Sequence, residues 1–121
     1  MILATVDDNA VSIKLLKLQQ ALSEGVPKAS LDMGFELMRL SQFEVPHDEG
    51  SLQNSGVVEL DGEDVAVGYR EPYAARLHEN PQYNFQKGRK GKYLEDPIIN
   101  NKDVFVQKFG LHMEGEIERV L

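Results

Sequence analysis

The fold is decided by residues 45–69, Val45-Pro46-His47-Asp48-Glu49-Gly50-Ser51-Leu52-Gln53-Asn54-Ser55-Gly56-Val57-Val58-Glu59-Leu60-Asp61-Gly62-Glu63-Asp64-Val65-Ala66-Val67-Gly68-Tyr69. Pro46 disfavours the α conformation at Val45, so a preceding helix is expected to end there. Residues 47–50 have the composition of a turn. The valine-rich runs 57–60 and 65–69 then predict two antiparallel strands. The chain therefore changes from helix to sheet within this stretch.

The connection between the two strands has two possible registers. Asp61-Gly62 is typical of a two-residue hairpin turn, which would set Glu59 opposite Asp64 as a destabilising like-charge pair. A four-residue loop avoids that pair, and we predict it. Its cross-strand partners are Leu60 with Val65 and Val58 with Val67. Either register places one set of apolar side chains on the same face: Val58, Leu60, Val65, Val67 and Tyr69.

Residues 7–43 are predicted to be helical. Val11, Leu15, Leu18 and Leu22 recur at helical spacing. Gly25 suits a helix C-terminus and Pro27 a helix start, which predicts a helix pair, with one long kinked helix as the alternative. Two further stripes form a wide apolar arc: Met33, Leu37 and Leu40, and Leu31, Phe35 and Met38. Such an arc is covered either within its own domain or partly by a neighbouring subunit.

The two ends of the chain add shorter elements. Ile2, Ala4 and Val6 alternate as in a short strand, and Asp7–Asn9 could cap the helix that follows. Pro72–Glu79 reads as a short helix, and Tyr83 and Phe85 suggest a third strand. Residues 93–121 form a C-terminal helical region interrupted at Pro97. It ends in a four-residue repeat of apolar side chains: Phe105, Phe109, Met113, Ile117 and Leu121.

Length and composition predict a single domain, residues 1–121, of the α+β class. In it a small antiparallel sheet (residues 55–86, with the short helix 72–79) packs against the N-terminal helix pair or long kinked helix and the C-terminal helix. The net charge of −7 argues against a free-standing nucleic-acid-binding domain. The absence of cysteine excludes disulfides and thiolate metal sites. No apolar run approaches the roughly 18 residues of a membrane span, so we expect no membrane partner.

Residues with catalytic or metal-ligating chemistry are few and scattered. The candidates His47, Asp48, His78 and Glu79 have no metal-binding spacing. Ser51 and Ser55 lack a nucleophile-elbow context, and no glycine-rich phosphate loop occurs. We therefore predict no catalytic residue, no metal site and no cofactor. A small hydrolase built on these four candidates remains the alternative.

One basic segment interrupts the acidic chain. Lys87, Arg89, Lys90 and Lys92 lie within six residues, near Tyr83, Phe85 and Tyr93. Basic and aromatic side chains together can follow a nucleic-acid backbone. The segment is either a solvated loop or, if the protein forms a ring, part of a positive collar in non-specific contact with passing DNA.

Four segments in order carry a family resemblance. Val45–Ser55 looks like the motif P-x-D-x-G-x-L-x-x-S, with Glu49 at a position where threonine is commoner. Pro72–Glu79 is similar to P-Y-A-x-x-x-H-E, and residues 80–88 and 91–97 are similar to the two blocks that follow. Together they resemble the minor capsid and head–tail joining (tail completion) proteins of tailed bacteriophages. The likeness covers nearly the whole chain.

The resemblance implies a structural virion protein and not an enzyme. Such proteins assemble in the host cytoplasm into a ring, typically sixfold, at the neck between head and tail. The implied partners are neighbouring copies, portal-side connector proteins, and tail tube or tail terminator proteins. Another position in the same connector, as adaptor, stopper or tail terminator, is the alternative.

A ring requires one patch of each subunit to meet a different patch of the next. The arc residues Leu31, Phe35 and Met38 are our candidates for one side of that contact. The candidates for contacts along the ring axis are the loop residues Asp48, Gly50, Lys87, Arg89, Lys90 and Lys92. Gly50 is expected to allow a turn closed to other residues, Asp48 to cap its amides, and Tyr73 and Leu77 to plug the end of the sheet.

Overall fold

A computed structural model describes residues 9–46, 50–62 and 64–120. The predicted strand of residues 2–6, the cap positions 7 and 8, and the turn residues 47–49 lie outside the described residues. The described elements are α1 (Asn9–Gln42), α2 (Ser51–Asn54), β1 (Gly56–Asp61), β2 (Asp64–Tyr69), α3 (Ala74–Glu79), α4 (Glu95–Asn100) and α5 (Lys102–Val120). The α+β class and the long N-terminal and C-terminal helices are confirmed.

Helix α1 is a single helix of 34 residues with Pro27 inside it, so the predicted helix pair is wrong and the long helix is right. An interior proline costs about 3 kcal/mol, and contacts with α5 on both sides of it offset that cost. Gly25 is no C-terminal cap. A Cβ atom there would lie 3.0 Å from Glu116 Cγ, so the bare backbone lets α5 approach closely. Ala21 and Ala29, one turn away on either side, are fully buried.

The hairpin has the predicted register, with Leu60 opposite Val65 and Val58 opposite Val67. The loop is shorter than predicted, because Asp61 also pairs with Asp64. That like-charge pair is tolerated because both aspartates are exposed to water. Gly62 has a φ of 67°, a conformation that favours glycine.

The predicted third strand is wrong: in the described part of the chain the sheet consists of β1 and β2 alone. Tyr83 and Phe85 lie in an irregular loop, with ring centroids 6.4 Å apart. Local turns hold this loop, since Tyr83 N donates to Asn80 O at 3.0 Å and Arg89 N donates to Gln86 O at 2.9 Å. Alternation over three residues was too short a pattern to distinguish a strand from such turns.

The hairpin packs on α1 at Gly34. A Cβ atom at this position would lie 2.6 Å from Val65 Cγ1 and 2.9 Å from Val58 Cγ1. The valine face predicted from sequence therefore meets the helix at a residue that has no side chain. Close packing between helix and sheet depends on that absence.

The C-terminal region contains two helices. Pro97 lies in the first turn of α4, where a missing N–H costs nothing, so the predicted interruption at Pro97 is wrong. The break falls at Asn101, whose Nδ2 donates to Pro97 O at 2.8 Å. Helix α5 then runs antiparallel to α1, because Lys108 pairs with Glu36 at 3.2 Å and His112 with Asp32 at 2.6 Å.

A core cluster lies at the C-terminal end of α1. We call it the Tyr93 core, and its buried members are Val45, Leu52, Ala74 and Tyr93. Partly buried hydrophobic residues surround it: Tyr69, Tyr73, Leu77 and Leu94. The prediction that Tyr73 and Leu77 pack at the end of the sheet is consistent with this arrangement.

Glu36 makes the α1–α5 contact sensitive to acid. Hydrogen bonds from Arg39 and Lys108 lower the pKa of this carboxyl from 4.5 to about 2. A carboxyl with a lowered pKa stabilises the fold above its unfolded-state value, and the contribution disappears as the pH falls from about 4.5 towards 2. Water screens the pair, so we expect Glu36→Gln to cost about 1 kcal/mol at pH 6.

Urea unfolding of wild type and Glu36→Gln at pH 6, 4 and 3 measures this contribution. The difference should shrink steadily with decreasing pH. The control is Glu118→Gln, a change on an exposed residue of α5 that should leave stability nearly unaltered at each pH. A Glu36→Gln deficit that stays constant from pH 6 to pH 3 would contradict the assignment.

Candidate functional site

The segments that carried the sequence motifs meet around the Tyr93 core. Pro46 and Gly50 are buried, and Gly50 begins α2 with φ 80° and ψ −1°. This is the left-handed conformation that the turn requires, as predicted. Asp48 lies outside the described residues, so its capping role stays a prediction. Ser55 Oγ donates to Leu52 O at 2.8 Å and accepts from Glu71 N at 3.2 Å, which joins α2 to the end of the hairpin.

Two glutamines tie the end of α1 to α2. Gln42 Nε2 donates to Gln53 O at 3.0 Å, and Gln53 Nε2 donates to Gln42 O at 3.2 Å. Tyr69 OH lies 2.8 Å from Ser41 Oγ and accepts from Gln42 Nε2 at 3.3 Å. Helix α1, helix α2 and strand β2 are thereby fixed at one point.

Tyr93 is the largest fully buried side chain among the described residues. Its hydroxyl donates to Ala74 O at 2.6 Å, and its ring meets Tyr69 and His78 edge to face, with centroids 5.3 and 5.0 Å away. Burial, followed by the neighbouring Tyr69 and Tyr73, raises the pKa of Tyr93 to about 12. The phenol is therefore a structural group, kept neutral across the physiological range.

His78 uses both ring nitrogens within the fold. Its Nε2 accepts from Glu95 N at 3.3 Å, at the start of α4, which assigns the proton to Nδ1. Nδ1 in turn donates to Glu79 Oε1 at 2.9 Å. Hydrogen bonds from Lys92 and then His78 lower the pKa of Glu79. The other two hydrolase candidates, His47 and Asp48, lie outside the described residues, so their distance from this pair stays undetermined.

The basic segment is largely used in internal contacts. Arg89 Nη1 donates to the carbonyls of Gln42 at 2.8 Å and Val45 at 3.4 Å, which closes the C-terminus of α1. Lys90 pairs with Asp96 and, at 3.6 Å, with Glu44. The hydrogen bond to Asp96 raises the pKa of Lys90. These contacts bring the loop onto the protein's own carboxylates and carbonyls.

The two remaining lysines of this segment differ in their surroundings. Lys92 has a positive φ of 53° and pairs with Glu79 at 2.7 Å and with Glu95 at 3.6 Å. The hydrogen bond to Glu79 raises the pKa of Lys92. Lys87 is exposed and makes no ion pair within the described ranges. Of the four predicted axial cations, Lys87 alone is exposed in the part of the chain that the structure describes.

The predicted subunit patch is only partly open. Phe35 is 55% exposed, whereas Leu31 is half-buried. Met38 is also half-buried: it lies against Gly56 at the start of β1, and its Sδ accepts from Gln42 Nε2 at 3.2 Å. We call Leu31, Phe35 and the exposed Arg39 the Phe35 surface.

A second apolar surface was not foreseen from the sequence. Two open cavities of about 480 and 570 Å³ adjoin one another, because Leu37 and Ile98 line both. We call the pair the Ile98 groove; it runs between α1 and α4, with β2 and α3 along one side and α5 at one end. Its further lining residues include Val65, Val67, Ala75, Leu94, Phe105 and Val106. Glu79 and Glu95 lie along its rim.

The sequence had indicated several of the lining residues, but as apolar positions of separate elements: Met33 and Leu37 in the arc, Val65 and Val67 on the sheet face, and Phe105 in the C-terminal repeat. The contribution of α4 was hidden because Ile98 and Ile99 adjoin Pro97, which was interpreted as a break. Both isoleucines are exposed in the structure, Ile98 by 44% and Ile99 by 56%.

Among the described residues no three histidine or acidic side chains are placed to hold a metal ion. No helix in those same ranges combines the length and apolar character needed to cross a membrane.

Comparisons with protein-family models, curated proteins and solved structures found no match to this chain.

Proposed function

We propose that this protein is a structural component of the neck of a tailed bacteriophage, where copies form a ring that joins the DNA-filled head to the tail. Its partners are neighbouring copies, portal-side connector proteins, and tail tube or tail terminator proteins. Its place is the head–tail interface of the virion.

The observation that supports this proposal most is the convergence of the motif segments. Pro46, Leu52, Ala74 and Tyr93 come from three of the four segments that resemble head–tail joining proteins, and all are buried near the end of α1. Residues that are distant in sequence thus form one structural unit.

The use of the polar residues also favours a structural role. His78, Arg89 and Lys92 bind carboxylates, backbone carbonyls or a backbone amide of the same chain. These contacts position loops and helix ends. Phe35, Ile98 and Ile99 are exposed, as expected of a subunit that works by docking.

Electron microscopy of particles made without this protein tests the proposal. We expect DNA-filled heads and finished tails that remain unjoined, and we expect the purified protein, added back to such an extract, to restore joined particles. A variant with Tyr93 replaced by alanine serves as the destabilised control and should restore joining less well than wild type. Normal joined particles in the absence of the protein would overturn the assignment.

A further inference from the structure

We propose, resting on the ring assembly above, that the Phe35 surface of one copy docks in the Ile98 groove of the next. In this contact Phe35 enters the apolar groove, and Arg39 reaches the carboxylates of Glu79 and Glu95 at its rim. The occupant of the groove is therefore a second copy of this chain. The contact is heterologous, because each copy presents a different surface at each of its two sides.

The two surfaces lie on opposite sides of one helix. Phe35 and Leu37 are two residues apart in α1, which is about 200° around a helix of 3.6 residues per turn. Phe35 therefore points away from the groove that Leu37 lines in the same copy. A chain cannot fill its own groove with Phe35, whereas a neighbouring chain can.

The apolar and charged positions have matching spacing. Phe35 and Arg39 are separated by four positions in α1, and Glu95 and Ile98 by three positions in α4. Both separations place the two side chains one turn apart on the same face, about 5–6 Å between Cβ atoms. In the proposed contact α1 of one copy lies antiparallel to α4 of the next, so Phe35 against Ile98 sets Arg39 against Glu95. The adjoining cavities have the size range of protein binding pockets.

Near Glu79 and Glu95 the groove rim carries more negative than positive charge, which Arg39 of a neighbouring copy would neutralise. Glu79 and Glu95 share one ammonium group, that of Lys92, at 2.7 and 3.6 Å. Both carboxylate side chains are half or more exposed, 60% and 50% respectively. At this end of the groove two exposed carboxylates share one lysine, whereas Lys102 lines the other cavity. An arginine guanidinium from a partner complements the acidic end.

Arg39 can break its ion pair with Glu36 without leaving that carboxylate unpaired. Its side chain is 58% exposed and pairs with Glu36 at 2.6 Å. Glu36 also pairs with Lys108 at 3.2 Å. When Arg39 turns to a neighbouring copy, Glu36 keeps the lysine. In the isolated chain Arg39 therefore pairs with Glu36. When it pairs with a neighbouring copy instead, no buried carboxylate is left without a cation.

Cross-linking of cysteine variants tests the contact. The chain contains no cysteine, so introduced thiols are the only targets of a short bismaleimide reagent. We expect a mixture of full-length Arg39→Cys and Glu95→Cys chains at high concentration to give a heterodimer. Each variant alone should give none. The double variant Arg39→Cys with Glu95→Cys should give a ladder that stops at the ring size.

Three results would overturn the proposal. A homodimer from Arg39→Cys alone would indicate a symmetric contact, and a wild-type chain that stays monomeric in sedimentation velocity at the highest soluble concentration would exclude the docking. Equal cross-linking by Arg39→Cys mixed with Glu118→Cys, an exposed position of α5, would indicate random collision.

Charge reversal provides a second readout by sedimentation velocity. Arg39→Glu should weaken association by tenfold or more, as should Glu95→Arg, and the two changes together should recover most of the loss. Lys17→Glu is the matched control, since this exposed residue lies about 33 Å along the same helix. It should leave association within a factor of two. No recovery in the double variant would contradict the Arg39–Glu95 pairing.

The experiments distinguish a failure of the proposed interface from a failure of the proposed neck function. Joined particles in the absence of the protein would remove the neck function while the cross-link could still form. Unjoined heads and tails, together with no Arg39–Glu95 cross-link, would preserve the function and remove this interface.

Discussion

Replacing Tyr93 by alanine will destabilise the protein by about 3–5 kcal/mol, the range seen when a large buried aromatic side chain is removed from a core. Tyr93 is 1% exposed and packs among Val45, Leu52 and Ala74. The change leaves a cavity there and removes two edge-to-face ring contacts. Urea unfolding followed by circular dichroism measures the loss.

Two further variants separate the causes. Tyr93→Phe keeps the ring but removes the donor to Ala74 O, so it should cost about 1–2 kcal/mol for a buried carbonyl left without its partner. Tyr83→Ala removes a 43% exposed tyrosine and should cost less than 1 kcal/mol. A Tyr93→Ala variant as stable as Tyr83→Ala would contradict the assigned core.

The same phenol predicts sensitivity to alkali. The pKa of Tyr93 is raised from 10 to about 12, so the folded state favours the neutral form. The associated stability is complete below pH 10 and is lost as the pH rises towards 12. Tyr93→Phe should lack this part of the decrease between pH 10 and 12.

Replacing Gly34 by alanine will destabilise the protein by about 1–3 kcal/mol, even though alanine is the better helix former by about 1 kcal/mol. The new Cβ atom would meet Val65 Cγ1 at 2.6 Å and Val58 Cγ1 at 2.9 Å. Valine side chains are stiff, so the hairpin as a whole must move away from α1. Thermal unfolding of the variant measures the cost.

The matched control is Gly110→Ala in α5. A Cβ atom at Gly110 meets nothing within 4 Å, so only the helix-propensity gain remains. This variant should be more stable than wild type by roughly 0.5–1 kcal/mol. The same substitution therefore has opposite signs in two helices. A gain in stability from Gly34→Ala would show that the hairpin does not rest on this residue.

Local pattern was enough to predict much of the fold. The stripe of Phe105, Phe109 and Met113 indicated α5, and the apolar alternation around Val58 and Val67 indicated both strands. Their register followed from avoiding a like-charge pair of Glu59 and Asp64. The helical spacing of Tyr73 and Leu77 indicated α3 to within two residues. Each of these patterns is dictated by the geometry of one element, which a short window of sequence contains in full.

The candidate site was predicted less completely. Phe35 was identified as an exposed apolar residue, but the groove that we assign to receive it was not. The hydrogen bonds of Arg89 were not predicted, because its acceptors belong to residues that are 44 and 47 positions earlier. No local pattern relates such distant partners. The same limitation hid the contact of Lys92 with Glu79, which lies 13 positions earlier.

By itself, the sequence determined where helices and strands can form, which face of each is apolar, and that cysteine chemistry is absent. Only the tertiary structure decided that α1 continues through Pro27, that Gly25 and Gly34 serve close packing, and that three of four clustered cations bind within the chain. The physical reason lies in the energy of each interaction and in the length of chain over which it acts. Backbone preferences of about 1–3 kcal/mol act within a few residues, and packing against a second element can exceed them.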